Sequence, residues 1–486
     1  MMLPSSGRSR RSSSDAPAAA TSTPGAEPLF DADLLGRYDC RGPRYTSYPT
    51  ALQFHEGFTG RDYRDCVAAT NADPIPAPLS LYVHIPFCAK ACLYCACTKV
   101  ITGNRGHAAE YMKRLTAEVE RQAELFDRDR VVEQLHLGGG TPTFLSMEQM
   151  GQLMESIRRH FSMAPDEEGE YSIEVDPRTV NGDTVGRLRR LGFNRLSLGV
   201  QDFDPAVQAA VNRVQSEQET LEIISAAREN RFRSVSIDLI YGLPRQTVGS
   251  FMQTLNRVLA TQPDRLSMYN YAHLPRQFKL QRMIREEDLP AAAEKLRILQ
   301  LSIERITGAG YSYIGMDHFA KADDDLCRAQ MEGTLSRNFQ GYSTHGDCDL
   351  IGLGMSAISA VGACYSQNAK DLDSYLALVD AGGLPAVRGL RLSEDDFVRR
   401  RIIKDLICHF MLDYDRYESG FQMDFWQYFA EERELLRGME TDGLVEINDT
   451  GIRVSMRGRL LVRNICMAFD RYLREAPGHG LYSRVI

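Results

Sequence analysis

Residues 81–98 read LYVHIPFCAKACLYCACT, and their reading decides the fold. Leu81, Val83 and Ile85 alternate with Tyr82 and His84, the period of a strand with one buried face. Pro86 ends the run, and four of the chain's eleven cysteines follow within ten positions: Cys88, Cys92, Cys95 and Cys97. Three thiolates spaced C-x3-C-x2-C on one loop can each take a corner of a cubane iron–sulfur cluster. The fourth iron is then left without a cysteine and open to a ligand. Structural zinc is the competing reading, but it needs two separated ligand pairs and no second Cys/His pair stands nearby. A cluster that also used Cys97 would be a closed electron carrier. Disulfides fit poorly with so long a chain that shows no secretory signal. The other seven cysteines, Cys40, Cys66, Cys327, Cys348, Cys364, Cys408 and Cys466, are scattered and read as free thiols in a reducing compartment.

Downstream, strands and helices take turns. Helical periodicity covers 107–126, 148–161, a stretch ending at 188, and 217–230, with another helix near 290–306. Strands are expected at 131–137, 171–175, 195–201, 234–240 and 265–272. Alternation of this kind implies parallel strands with right-handed crossovers. Six units rather than eight give an α/β fold, an open three-quarter (β/α)6 TIM-like barrel. Chemistry in such barrels sits at the carboxyl ends of the strands. The polar residues fall there: Cys88, Gly138 to Thr141, Glu174, Gln201, Asp238 and His273.

The flanks read differently. Residues 1–29 are rich in Ser, Ala and Pro, a composition expected to stay a disordered tail; an organellar transit peptide is the looser alternative. Residues 38–50, YDCRGPRYTSYPT, are barred from helix by Gly42, Pro43 and Pro49 and read as an extended arm; a short helix is expected over 58–72. Residues 311–321 suggest a strand and a polar loop, and 337–359, RNFQGYSTHGDCDLIGLGMSAIS, a long functional loop. From 393 onward helices dominate (395–410, 423–439, 456–473), with a hairpin at 443–454. The expected division is therefore tail 1–29, arm and helix 30–78, barrel 79–310, barrel extension and active-site loop 311–392, and mostly helical C-terminal domain 393–486.

The 486 residues suit two or three domains, and 43% hydrophobic and 25% charged residues are ordinary for a globular protein. No apolar run is long enough to span a membrane. The net charge of −8 argues against a general polyanion binder. Helices plus a hairpin would also suit a DNA-binding winged helix, but the third helix carries no excess of basic residues. With no heptad run visible, a monomer in the cytoplasm is expected.

Individual residues carry further chemistry. Gly138, Gly139 and Gly140 directly follow a strand and let a ligand approach the backbone; a tight strand-to-helix turn is the alternative. Glu174 and Asp238 at strand ends can accept hydrogen bonds from a ribose or an amino group, or form salt bridges across the mouth. Arg213 can pair with a ligand carboxylate or with a surface acid. His84 and His136 lie within strands and could be core histidines.

The motif YVHIPFC with C-x3-C-x2-C resembles the cluster loop of radical S-adenosylmethionine enzymes. With Cys97 and RNFQGY the resemblance narrows to the oxygen-independent coproporphyrinogen III oxidase family, and it runs from about residue 38 to residue 486. The resemblance implies a [4Fe-4S] cluster on Cys88, Cys92 and Cys95 and two molecules of S-adenosylmethionine. The first would contact Tyr82, Gly139, Glu174 and Ile358. The second would contact Tyr94, Gly140, Thr141, Gln201, Arg213, Asp238 and Ala272. Cys97 matches a cysteine needed for activity but not for ligation; Phe339 and Gln340 match residues close to the second molecule. Ala96 stands where a glycine is usual. The implied reaction is anaerobic oxidative decarboxylation of two propionates of coproporphyrinogen III to vinyl groups, giving protoporphyrinogen IX. It proceeds through a 5′-deoxyadenosyl radical, with an electron donor such as flavodoxin or ferredoxin and an unidentified acceptor. Arg41 and Arg44 are candidates for meeting the propionates. The alternatives are a haem chaperone on the same scaffold, against which Cys97, RNFQGY and the C-terminal residues speak, and a radical methyltransferase.

Overall fold

The computed structural model describes residues 30–475 and 482–484; the expected tail 1–29 lies outside them. The barrel is built from β1 (Leu79–Ile85), β2 (Val131–Gly139), β3 (Glu170–Val175), β4 (Arg195–Gln201), β5 (Ser234–Tyr241) and β6 (Arg265–Asn270). Between them run α1 (Gly106–Ala123), α2 (Met147–His160), α3 (Gly182–Arg190), α4 (Glu217–Glu229) and α5 (Val248–Ala260), and α6 (Ala292–Gly308) follows β6. All six strands are parallel, in the order β6-β5-β4-β3-β2-β1.

Sequence alternation decides which face goes where. Leu81, Val83 and Ile85 on β1, Leu135 and Leu137 on β2, and Leu196 and Leu198 on β4 are essentially inaccessible and pack in the main core cluster with Tyr111, Leu115 and Leu153 of the helices. Full burial of each such side chain contributes about 1.5–3 kcal/mol. The alternate residues face a lumen that is polar: Gln134, His136, Ser172, Glu174, Ser197, Asp238 and Ser267 among them. The helix starts are set locally. Ser146 and Thr247 form capping boxes with Gln149 and Ser250 at the heads of α2 and α5.

The sheet extends beyond the six expected strands on both sides. β7 (Tyr311–Gly315) and β8 (His318–Lys321) form a hairpin whose second strand runs antiparallel to β6. At the other side β9 (Asp349–Leu353) pairs in parallel with β1, and β10 (Ile358–Val361), β11 (Cys364–Asn368) and β12 (Ala386–Arg391) continue antiparallel. Residues 337–359, expected as one long loop, thus hold a small hairpin (Ser336–Asn338 with Gly341–Ser343), the strand β9 and the start of β10. The Gly-rich composition hid these strands. Gly352 leaves room that a Cβ would take from the Ile358 backbone at 2.6 Å.

The C-terminal region opens with α7 (Glu394–His409), capped by Ser393, and adds a three-stranded antiparallel sheet of Met411–Asp413, Gly451–Val454 and Val445–Ile447. Two helices expected as continuous are broken. The 423–439 stretch splits at Phe429, and 456–473 becomes a 3-10 turn (Arg457–Leu461), Val462–Ala468 and Arg471–Glu475. Periodicity persists across such breaks, because the buried face continues; Phe429 and Phe469 each point into the core, fully buried. The N-terminal arm begins with a helix, Ala32–Tyr38, then runs irregularly against this region. Arg463 Nε donates to Pro43 O at 2.9 Å, Asn464 Nδ2 to Tyr38 O at 2.8 Å, and Tyr45 OH to Asp470 at 3.0 Å. None of the eleven cysteines is in a disulfide.

Candidate active site

The cysteine loop leaves the carboxyl end of β1 and is tied down on several sides. Val100 N donates to Pro86 O at 2.7 Å and Thr102 N to Cys88 O at 3.0 Å. Leu93 N donates to Val211 O at 3.0 Å, and Asn212 Nδ2 to Ala91 O at 2.7 Å. Ala96 is not among the residues with positive φ, so its methyl meets no backbone strain. Cys88 Sγ lies 3.5 Å from Thr141 Oγ1, and Cys92 Sγ is 3.5 Å from both Arg178 Nη2 and Arg213 Nη1. Lys99 Nζ donates to Cys95 O at 2.9 Å. A hydrogen bond shared with the Cys97 thiol, helped by Lys99, draws the Cys95 thiol down and pushes Cys97 up, so that Cys97 is the one to hold the proton.

Three thiols sit on one anchored loop beside two guanidiniums and an ammonium; burial pushes the Cys88 thiol up, while the Cys97 hydrogen bond and Lys99 pull Cys95 down. Among the described residues no three His, Cys, Asp or Glu side chains converge as a single metal ion would require. A cubane makes no such demand, since each thiolate takes a different iron. The residues present therefore fit a [4Fe-4S] cluster on Cys88, Cys92 and Cys95.

The glycines after β2 are required by contacts. Gly139 has φ +117°, and a Cβ there would stand 2.8 Å from the His84 ring; one at Gly140 would stand 2.6 Å from Pro86 O. Gly139 N donates to Glu174 Oε2 at 3.3 Å, and Glu174 Oε1 lies 3.2 Å from His136 Nε2. His136 lines the lumen, whereas His84 is buried and has both ring nitrogens hydrogen-bonded, as a core histidine would. His84 Nε2 donates to Thr98 O at 3.0 Å, which fixes its tautomer and leaves Nδ1 to accept from Tyr82 OH at 3.0 Å. Burial keeps this imidazole neutral and pushes the Tyr82 phenol well up, so both hold their protons at neutral pH. Tyr82 stacks on His136 at 5.9 Å. Deeper in, Asp238 accepts from Ser197 Oγ at 3.1 Å; burial, then the Glu174 charge, pushes its carboxyl up to about 6.

A second group surrounds Arg213. It pairs with Asp176 at 3.2 Å and donates to Gly199 O. Burial opposes the Asp176 charge, yet Arg178 at 2.6 Å and Arg213 hold its carboxyl below the usual range. Gln201 ends β4 in the left-handed region, φ +68°. Gln281 Nε2 donates to both Tyr94 O at 2.9 Å and Ala272 O at 3.2 Å, clamping the cysteine loop to the segment after β6. Phe339 and Gln340 form the tip of the small hairpin. Phe339 meets Tyr365 edge-on at 6.0 Å and packs with Ile358, while Gln340 lines a lumen cavity of about 140 Å³ with Glu174 and Asp238.

The candidate residues thus gather toward the carboxyl ends of β1 to β6, with Phe339 on the small hairpin and Ile358 at the start of β10. Sequence reasoning does not single out Arg178 as a partner of Cys92, nor Asp176 as the acid that pairs with both Arg178 and Arg213; the available signal is a D-P-R turn directly after a strand. Arg44 lies inside, paired with Asp317 and 5.8 Å from the Tyr269 ring, whereas Arg41 is exposed and its backbone bridges Arg484.

This site belongs to a radical S-adenosylmethionine barrel. The Radical SAM superfamily profile matches residues 82–258 and the HemN C-terminal domain profile residues 392–461. The oxygen-independent coproporphyrinogen III oxidase of Pseudomonas aeruginosa is 54% identical over 457 residues, covering 94% of this chain and 99% of that protein. The Escherichia coli enzyme of the same name is 50% identical, covering 94% and 98%. A solved structure of coproporphyrinogen III oxidase (HemN) from Escherichia coli, titled a radical SAM enzyme, superposes with TM-score 0.87 over 91% of this chain and 99% of that one. The chain belongs to the oxygen-independent coproporphyrinogen III oxidase family.

Proposed function

We propose that this protein is the radical oxidoreductase that its relatives' names describe. It converts two propionate side chains of coproporphyrinogen III to vinyl groups without oxygen, in haem and porphyrin biosynthesis. The carrying observation is that the Cys88–Cys92–Cys95 loop follows the carboxyl end of β1 in a barrel whose lumen is lined by Glu174 and Asp238. When bound, the cluster and S-adenosylmethionine supply the electron and the 5′-deoxyadenosyl radical that takes a hydrogen from the propionate β-carbon.

The chain's own residues position and enclose. Tyr82, Gly139, Glu174 and Ile358 hold the first S-adenosylmethionine. The Gly139 backbone offers the close approach and Glu174 the acceptor. Tyr94, Gly140, Thr141, Gln201, Arg213, Asp238 and Ala272 hold a second one. Arg213, buried with its Nε unpartnered, can meet a carboxylate there. Phe339, Gln340 and Cys97 stand at the border with substrate. An external flavodoxin or ferredoxin delivers the electron, and the protein acts as a monomer of a barrel, its extension and a helical C-terminal domain. Among the described residues no helix is long and apolar enough to cross a membrane.

The test is anaerobic turnover with reconstituted cluster, S-adenosylmethionine, a reductant, coproporphyrinogen III and an electron acceptor. Protoporphyrin, read by fluorescence and mass after oxidation, supports the reading. 5′-Deoxyadenosine without any decarboxylated product would leave the radical machinery but remove the substrate.

A further inference from the structure

A second cavity, of about 310 Å³, lies between the N-terminal arm, the small hairpin, α7 and the amino ends of β1 and β9. Its cationic lining is Arg337 from the hairpin and Arg400 and Lys404 from α7. Arg337 is the telling residue. Its Nε and Nη1 are buried and have no hydrogen-bond partner, and its guanidinium sits 4.8 Å from the Tyr342 ring centre. Arg400 lies 5.1 Å over Phe397, and neither it nor Lys404 is held by a carboxylate among the described residues. Of the two acids in the same wall, Asp347 is exposed to solvent and Asp349 is already taken by Arg130 at 2.5 Å and Gly362 N at 2.8 Å. Burial and the repulsion of Arg463 and Arg337 lower Arg44, although it is paired with Asp317. Two buried guanidinium N–H groups that lack an acceptor are costly, and an anion reaching them from the cavity would complete them.

The hairpin tip separates this cavity from the lumen. Phe339 faces the cationic side, and Gln340 lines the lumen with Glu174 and Asp238. A ring-shaped ligand with carboxylates around its edge, lying across the tip, would have one arm among the lumen residues and others among the cations.

We propose that Arg337, supported by Arg400 and Lys404, is the carboxylate anchor of the substrate. It holds propionates that are not reacting while another is presented beyond Phe339 and Gln340. The anchor rests on the reading of the preceding subsection. Arg337 offers a planar, two-pronged donor set that matches a carboxylate.

The experiment is anaerobic steady-state turnover of coproporphyrinogen III by the holoenzyme with Arg337→Gln and Arg337→Lys. The expected result is a KM for coproporphyrinogen III raised about tenfold or more in Arg337→Gln, one bidentate charged contact being worth roughly that factor. Partial recovery is expected in Arg337→Lys, with the KM for S-adenosylmethionine unchanged in both. A merely structural arginine would move Tm and both KM values together, and that pattern overturns the anchor. If Arg337→Gln fails to fold, the double variant Arg400→Gln/Lys404→Gln, on half-buried positions of α7, must still raise the KM; an unmoved KM overturns the proposal. Wild-type protein inactive on coproporphyrinogen III would instead fail the functional reading itself, and the anchor with it.

Discussion

The two ends of the barrel lumen use the same residue types to opposite effect. At the amino end, Glu170 and Arg195, the first residues of β3 and β4, pair at 3.0 Å; Arg195 also meets Asp325 at 2.6 Å, and Arg265 meets Asp324 at 3.0 Å. Gln134 spans from Glu170 to Ser343 at 3.0 and 3.1 Å, closing that end. At the carboxyl end, four residues further along β3, Glu174 is met by His136 Nε2 at 3.2 Å and the Gly139 amide at 3.3 Å but by no arginine or lysine, and its side chain is 44% exposed. Asp238 has two serines and a neighbouring like charge. One ring of charges is ion-paired within the protein, though Glu170 Oε2, Arg195 Nε and Arg265 Nη2 make no hydrogen bond there; the other faces the lumen with no arginine or lysine partner. Charge completed internally serves the fold, whereas charge left incomplete at the carboxyl ends serves chemistry.

The comparison can be broken most forcefully through the cysteines. Cys92→Ser removes a thiolate that Arg178 and Arg213 attend, so the visible absorption of the reconstituted cluster and 5′-deoxyadenosine formation should fall to background while the apo-fold persists by circular dichroism. Next comes Arg195→Met at the amino end. It strands buried Glu170, and breaking a buried pair typically costs about 3–5 kcal/mol. Urea unfolding should show that loss, with cofactor affinity intact in the surviving folded protein. Gly139→Ala forces a methyl onto the His84 ring at a φ that side chains rarely adopt. Strain of roughly 1–3 kcal/mol should weaken S-adenosylmethionine binding about tenfold or more by equilibrium dialysis.

The smallest expected effect concerns pH. Asp238 has a folded value of about 6, raised by burial first and Glu174 second, from 3.8. Its ionisation therefore disfavours the folded state as pH rises from about 4 through about 6. Asp238→Asn should gain about 1–2 kcal/mol of stability at pH 8 and nothing at pH 4, while losing activity. A pH series of denaturant midpoints checks this; equal gains at both pH values would contradict the sign.

Much of this was legible in the chain. Alternation in 81–85 placed β1, and glycines after a strand marked the backbone approach at 138–140. The strand-end rule singled out Glu174, Gln201 and Asp238. What could not be read was pairing between elements. Nothing local says that Asp349–Leu353 joins β1 in parallel, because its buried, Gly-containing run has neither period. Glu170 and Glu174 share a strand and a face, so sequence alone could not tell the paired carboxylate from the waiting one. Arg337 looked like any loop cation until the hairpin buried it without an acceptor.

The most direct measurement sets Glu170→Gln beside Glu174→Gln, following 5′-deoxyadenosine release and Tm in both. Glu174→Gln should lose about tenfold or more in release with Tm unchanged, since a half-exposed acceptor is removed. Glu170→Gln should lower Tm while keeping release near wild type below its transition. If Glu174→Gln unfolds early and Glu170→Gln abolishes release, the roles of the two ends are reversed and the account is wrong.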